Sequence, residues 1–310
     1  MNEMNLLIDT DTAGDDVTSI MMAGLSGVNL VGVTTVAGNV PVDLGTRNAL
    51  ITLEKIGRDV PVYSGAASPL LRKLVTAQYV HGNDGMGNSN FNDPLRTNKM
   101  ENAVNKILNL SHEYKNELII CAQAPLTNIA LAVIKDRTLP ERIKHLYIMG
   151  GTYRHSGNIT PAAEYNFYVD PEAANIVLNA GFKCTLLPWD TCIYDGTLNM
   201  EELRYVTENN SDLSKFYLNV NKSGIEFNNT NGSGLNLNGL THSDSLLMSI
   251  ILDNSIIEET IRARMEIEYH SETTRGFSSV TQNNDEFKNV EIIIKANKNK
   301  FMAKLRKILS

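Results

Sequence analysis

The sequence predicts an α/β fold: a single open, mostly parallel central sheet flanked by helices. Two observations carry this. Short β-branched apolar runs alternate along the chain with stretches of helical period, and polar motifs sit just beyond the ends of those runs. In a parallel sheet the carboxyl ends share one edge, so motifs scattered through the chain would meet in one crevice.

The elements follow in order. Asn5–Ile8 is a short apolar run, and Leu30–Val36 is rich in Val and Thr. Pro41 to Ile56 places Val42, Ala49, Leu50, Leu53 and Ile56 on one helical face. Val60–Tyr63 and Leu118–Ala122 read as strands, Leu126 to Ile134 as a helix, and His145–Met149 as a strand. Pro171 to Leu178 then reads as a helix, Lys183–Leu187 as a strand and Ser243 to Leu252 as a helix. Met265–Tyr269 and Val290–Ile294 are late strands, and the basic stretch Lys298–Leu309 is a closing helix. Lys73–Asn92 and the Asn-, Gly- and Ser-rich Asn221–Gly239 read as long loops, the kind that covers binding sites. No boundary divides residues 1–310, so one domain is expected.

Composition narrows the function. The net charge of −7 and pI near 5.4 argue against nucleic acid or an anionic membrane surface as partner. No stretch reads as a signal peptide or a bilayer span. Cys121, Cys184 and Cys192 are odd in number and lack CxxC spacing, as expected of reduced thiols in the cytoplasm. Gly82-x-x-Gly85-x-Gly87 has the wrong order for a dinucleotide loop.

The first strand runs into Asp9-Thr10-Asp11-Thr12-Ala13-Gly14-Asp15-Asp16, four aspartates in eight positions. Like charges so close raise one another's pKa unless a cation or donors compensate. Oxygen-only ligands suit calcium or magnesium, whereas a solvated acidic turn is the plain alternative. Other strands run into Gly38-Asn39, Ala124-Pro125-Leu126-Thr127-Asn128, Gly150-Gly151 with Gly157 to Asn166 beyond, and Trp189-Asp190. Each has a structural reading: Asn39 as a helix cap, Thr127 as a first-turn residue, Asp244 as a dipole partner, Asp190 as a structural residue at a strand end and Trp189 as core.

At these residues the chain resembles the nucleoside hydrolases, the inosine-uridine-preferring family. That family opens with Asp-x-Asp-Pro-Gly-x-Asp-Asp. Asp9, Asp11, Asp15 and Asp16 keep the register, with Thr12 and Ala13 in place of Pro-Gly. Gly38-Asn39, Pro125 to Asn128, Met149-Gly150-Gly151, Gly157-Asn158, Glu164-Tyr165-Asn166, Asp170 to Ala173 and Arg275-Gly276 follow in family order. The resemblance implies Ca2+ held by Asp11, Asp16, the backbone carbonyl of Thr127 and Asp244. It implies that Asp15, Asn158, Glu164 and Asn166 hold the ribose hydroxyls, with Asn39 beside the metal. The implied activity is hydrolysis of the N-glycosidic bond of ribonucleosides, Asp11 accepting a proton from metal-bound water. Family relatives are commonly dimers or tetramers, so a homo-oligomer is expected. A phosphate would be repelled by so many carboxylates, which favours nucleosides over nucleotides.

One departure stands out. Where many family members carry a His before the late metal-binding Asp, this chain has Ser243, and His242 lies one residue earlier. His242 is then a candidate acid for the leaving base, or else a capping or surface residue; His81, Tyr165 and Phe227 are candidate base contacts. Two other functions compete. A riboside-binding relative without turnover would fit Ser243. A magnesium-dependent haloacid-dehalogenase-type phosphatase also uses Asp-x-Asp, but Ala13 stands where it needs Thr or Val.

Overall fold

Burial on both faces explains why the central strands read as unbroken apolar runs. The computed structural model describes residues 4–230, 237–282 and 288–310. Its strands are β1 (Asn5–Thr10), β2 (Asn29–Thr35), β3 (Val62–Ser64), β4 (Leu118–Ala122), β5 (Ile143–Met149), β6 (Cys184–Leu187), β7 (Thr197–Asn199), β8 (Gly239–Thr241), β9 (Ile257–Ile267), β10 (Ser278–Thr281) and β11 (Val290–Ala296). Nine of them form one sheet in the order β10-β9-β11-β6-β5-β4-β1-β2-β3, and β7 and β8 form a separate antiparallel ribbon. Pairing is parallel from β11 through β6, β5, β4, β1 and β2 to β3, while β9 and β10 add an antiparallel edge. Every residue of β1 and β4 is buried.

The strand order holds the main functional consequence. From β1 the chain builds outward through β2 and β3, then returns to place β4 on the other side of β1. The order therefore reverses between β1 and β4, and such switch points open a crevice at the carboxyl ends of the strands. Beyond β1 lie the aspartates; beyond β4 lies Thr127.

Helices cover both faces. On one, Ile20, Leu50 and Leu53 pack with Ile8, Leu187 and Phe301; on the other, Ile129 and Val177 pack with Leu7, Ile120, Ile148 and Leu186. Each such side chain contributes about 1.5–3 kcal/mol by leaving water. The helices Val42–Lys55, Thr127–Lys135, Pro171–Leu178, Asp244–Leu252 and Lys298–Leu309 match the periodic stretches of the sequence. None of the described helices is long and apolar enough to cross a membrane.

Three expectations are corrected. The loop expected over Asn221–Gly239 is helical in its first part, because the helix Asp212–Asn229 runs through it; residues 231–236 lie outside the described residues. Ser211 caps that helix through Ser214 N, and Phe216, Val220 and Gly224 recur every fourth residue on its buried face, a stripe obscured by asparagines. The late strand expected at Met265–Tyr269 is instead the longer β9, which ends at Ile267. The acidic run after β1 is not all turn either: the helix Gly14–Leu25 begins within it, so Asp15 and Asp16 occupy its first turn.

Candidate active site

β1 delivers Asp11 fully buried at the switch point. Its Oδ2 accepts the Asn39 backbone N–H at 2.5 Å, while Oδ1 is buried with no hydrogen-bond partner among the described residues. Gly38 permits this approach, since a Cβ there would lie 2.1 Å from Asp11 Oδ2. Asp16 is heavily solvated by protein: it accepts from Thr10 Oγ1 at 2.6 Å, Gln123 Nε2 at 3.1 Å, the Ala13 N–H at 3.1 Å and Asn39 Nδ2 at 3.3 Å. Asn39 therefore binds the acids rather than capping the following helix, whose N-cap is Pro41.

Asp15 does something the sequence did not disclose. It reaches the N-terminus of the helix Asp244–Leu252, accepting from the Asp244 N–H at 2.7 Å, the Ser245 N–H at 3.1 Å and Ser245 Oγ at 2.6 Å. This carboxylate caps a distant helix and thereby fixes Asp244 beside the cluster. Thr127 opens its own helix, and its hydroxyl donates to Asp170 Oδ2 at 2.6 Å. Asp9 lies deeper, accepting from Thr34 Oγ1 at 2.6 Å and Asn128 Nδ2 at 2.8 Å, with Oδ2 unpartnered among the described residues.

Burial drives the acids upward, and their neighbours add to it. Asp11 is held well above the usual carboxylate range by burial and then by the charge of Asp16. Asp244 is raised well above that range by burial and then by Asp16, Asp15 and Asp11. Asp16 and Asp9 are each raised by burial to about 6. The three sequence-remote positions Asp11, Asp16 and Asp244 thus sit in one shared field. Among the described residues no group of three His, Cys, Asp or Glu side chains is already gathered as a metal-ligating set. The donors present fit a hard cation nonetheless: they are all oxygen, mutually repelling, and Asp11 Oδ1 lacks a partner among the described residues.

Beside the acids lies a cavity of about 160 Å³ whose lining includes Asp15, Asn39, Asn158, Glu164, Asn166 and Asp244. Glu164 caps the helix Tyr165–Val169: Oε1 accepts the Asn166 N–H at 2.9 Å, and Oε2 accepts the N–H groups of Gly151 at 2.8 Å and Phe167 at 3.2 Å. Burial outweighs those bonds and lifts its carboxyl to about 7. Asn158 Oδ1 accepts the Tyr165 N–H at 2.8 Å, and Asn166 Nδ2 donates to the Met149 carbonyl at 3.2 Å. Asp190 anchors the loop between them by accepting the N–H groups of Tyr153 at 2.7 Å and Arg154 at 2.6 Å.

The histidines separate. His81 lines the cavity; its Nδ1 lies 2.7 Å from where a Gly14 Cβ would sit, and burial lowers its pKa to about 4. His242, expected from sequence as an acid or else a capping or surface residue, lies elsewhere. It is fully buried and does not line the cavity. Nδ1 faces the Gly196 carbonyl at 3.0 Å, so it carries the proton, and Nε2 accepts from Tyr217 Oη at 2.6 Å. Its ring stacks on Tyr217 and meets Phe301 edge-on. Ser243 lines the cavity in its place.

Sequence reading missed several wall residues. Gln123 lines the cavity and joins Asp16 to Ser19, whose hydroxyl donates to Gln123 Oε1 at 2.6 Å. Trp189 belongs to the core as expected, but it also lines the cavity, and its indole N–H has no partner among the described residues. Tyr79, also unforeseen, meets Phe227, one of the expected base contacts, edge to face at 5.7 Å on the same wall. A lone tryptophan directly after a strand-end proline was the one available signal.

Comparisons with known proteins agree with this geometry. A probable uridine nucleosidase 2 of Oryza sativa subsp. japonica is 41% identical over 225 residues, covering 69% of this chain and 67% of that protein. The inosine-uridine preferring nucleoside hydrolase of Crithidia fasciculata is 31% identical over 279 residues, covering 88% and 86%. A solved plant nucleoside hydrolase superposes with a TM-score of 0.92 at 25% identity, covering 99% of this chain and 98% of that one. Among the first curated relatives, the matched stretches span 55% to 67% of their lengths. Residues 6–303 match the family model described as inosine-uridine preferring nucleoside hydrolase, and the chain belongs to that family.

Proposed function

We propose that this protein hydrolyses the N-glycosidic bond of ribonucleosides, releasing free base and ribose. The observation that carries the reading is the bare, buried Asp11 oxygen joined through Asn39 to a cavity walled by amides and acids. Asp11, Asp16, the Thr127 backbone carbonyl and Asp244 would hold a calcium ion. Bound there, calcium offsets the acids' repulsion and lowers the pKa of a water molecule.

The protein's own groups do the rest. Asp11 Oδ1, having no internal partner, accepts the proton of the attacking water. Glu164, Asn158 and Asn166 are pinned by backbone groups, so their remaining polar capacity meets sugar hydroxyls in fixed directions. The acids stabilise positive charge on the ribose as the bond to the base breaks. Asp15 spans both tasks, orienting Asp244 and presenting an anion to the sugar. For the leaving base, His81 is the histidine among the described residues of the cavity wall, and His242, buried away from that wall, is assigned no part.

Family membership sets aside the phosphatase reading. Ser243 keeps one rival: a nucleoside-binding relative without turnover. The test is release of reducing sugar from uridine, inosine and a riboside of 4-nitrophenol, with and without chelator. Calcium-dependent release from uridine or inosine supports the hydrolase. Release from the 4-nitrophenyl riboside alone assigns a hydrolase lacking leaving-group activation. Binding of uridine with no release from any of the three favours the rival. Use in nucleoside salvage, a cytoplasmic setting and a dimeric or tetrameric assembly complete the proposed picture.

A further inference from the structure

A second cavity, of about 520 Å³, lies at the opposite edge of the sheet, where β5, β6 and β11 begin. Its cations stand out in a chain of net charge −7: Lys183, Arg262, Arg264 and Lys288 all line it. Among the described residues Lys183 and Arg262 have no ion-pair partner, and Arg264 meets only Glu266, at 3.6 Å. Like charges gathered around a hollow repel one another, and a bound counter-charge would relieve that repulsion.

The floor is built of ordered polar groups. Thr185 is 2% exposed, and its hydroxyl donates to Glu291 Oε2 at 3.2 Å. That leaves its oxygen to accept from His145 Nε2 at 2.8 Å. Strand register lines these groups up, Tyr147 opposite Thr185, Thr185 opposite Glu291 and Glu291 opposite Arg262. Glu291 is the one carboxylate on the lining, so positive charge prevails there.

We propose that this cavity is a binding site for a small oxyanion carrying two or more negative charges, distinct from the nucleoside cavity. Arginine forks match phosphate or carboxylate oxygens in pairs, which favours such a ligand over a halide-like point charge. The shared chemistry admits a phosphorylated metabolite or a polycarboxylate. Because β5 and β6 run from this cavity to Met149-Gly150-Gly151 and Trp189, the two sites cap opposite ends of the same strands.

Isothermal titration with inorganic pyrophosphate and with citrate tests it, on the full chain, with Arg262→Gln/Arg264→Gln and, as control, Lys307→Gln. Saturable one-to-one binding is expected, weakened about tenfold by the double variant and unchanged by the control. Stronger binding of pyrophosphate assigns the site to phosphorylated ligands; equal binding of citrate assigns it to oxyanions generally. No saturable binding, or equal weakening by Lys307→Gln, overturns the proposal. So does a change of assembly state in the double variant without anion binding, which would make this face a protein interface. Both arginines are at least partly exposed, and an unchanged melting temperature verifies that the variant is folded.

Discussion

Asp170 offers the sharpest test of how the fold serves the site, because it stands outside the lining of the nucleoside cavity yet holds a proposed metal ligand. It is fully buried and accepts from Thr127 Oγ1 at 2.6 Å, the Leu70 N–H at 2.9 Å and the Ala173 N–H at 3.1 Å. Asp170→Ala strips a helix cap worth about 1 kcal/mol. It also leaves the buried Thr127 hydroxyl and the Leu70 amide without an acceptor, at about 1 kcal/mol or more each. The sum is about 3 kcal/mol. With about 2.1 cal/mol/K of unfolding entropy per residue over a chain this long, the melting temperature should fall by about 5 °C. If Asp170 positions Thr127, calcium affinity should also weaken about tenfold, the scale seen for residues that orient ligands. Thr127→Val, which keeps the main-chain carbonyl but cuts the tether, should weaken calcium in the same direction with a smaller loss of stability. Thermal scans at fixed free calcium and a calcium titration read both quantities. A melting temperature unchanged in Asp170→Ala, or lowered with calcium affinity intact in both variants, would refute the reasoning.

Three further outcomes are expected. Asp11→Asn should lower kcat by about a thousandfold, the scale of a lost general base, while the metal-free protein melts no lower than wild type because a buried repulsive charge is gone; equal turnover would reassign the base. His242→Phe should destabilise the protein by about 1–2 kcal/mol by orphaning Tyr217 Oη, while the Gly196 carbonyl keeps the backbone N–H of position 242, with the ratio of rates on good and poor leaving groups unmoved; a selective loss on poor leaving groups would restore it as the acid. Glu164 has a folded pKa of about 7 against an ordinary value of 4.5, so the native state holds a proton that the unfolded chain releases. Its contribution to metal-free stability is then full below about 4.5 and lost as pH rises through about 7, and denaturant midpoints measured over that window should show a slope that Glu164→Gln flattens.

Much of this molecule was legible because burial leaves a strong mark. β4 and the helices Pro171–Leu178 and Lys298–Leu309 fall where the apolar pattern put them, since one period or an unbroken run decided each. Asp15, Asn39, Asn158, Glu164, Asn166 and Asp244 were traceable as polar groups past strand ends or at a helix start, and the structure gathers them around one cavity. What stayed hidden depended on contacts between distant segments. Nothing near Asp15 announces that it caps a helix beginning at Asp244. His242 and Ser243 differ by one position, yet one faces the core and the other the cavity, a direction set by how β8 feeds the helix. The helix Asp212–Asn229 was concealed by its own asparagines, and Trp189 and Tyr79 converge from two segments that share no motif.

The acids at the switch point argue for function by their cost to the fold. Asp11, Asp16 and Asp244 are all at least nine-tenths buried, and each is made harder to ionise by the others or by burial. A chain selected for stability alone would place apolar groups there, as similar sites emptied of charge are often no less stable. Instead the donors are arranged to hold charge in place: four groups bond Asp16, a helix N-terminus holds Asp15, and a glycine makes room for Asp11. Such an arrangement keeps negative charge fixed and dry, where it acts on a positive sugar far more strongly than in water. Asp11 Oδ1 and Asp9 Oδ2 are both bare among the described residues, but Asp9 lies inside β1 whereas Asp11 lies beyond it, bonded to Asn39 on the cavity wall, and on that difference the proton is assigned to Asp11.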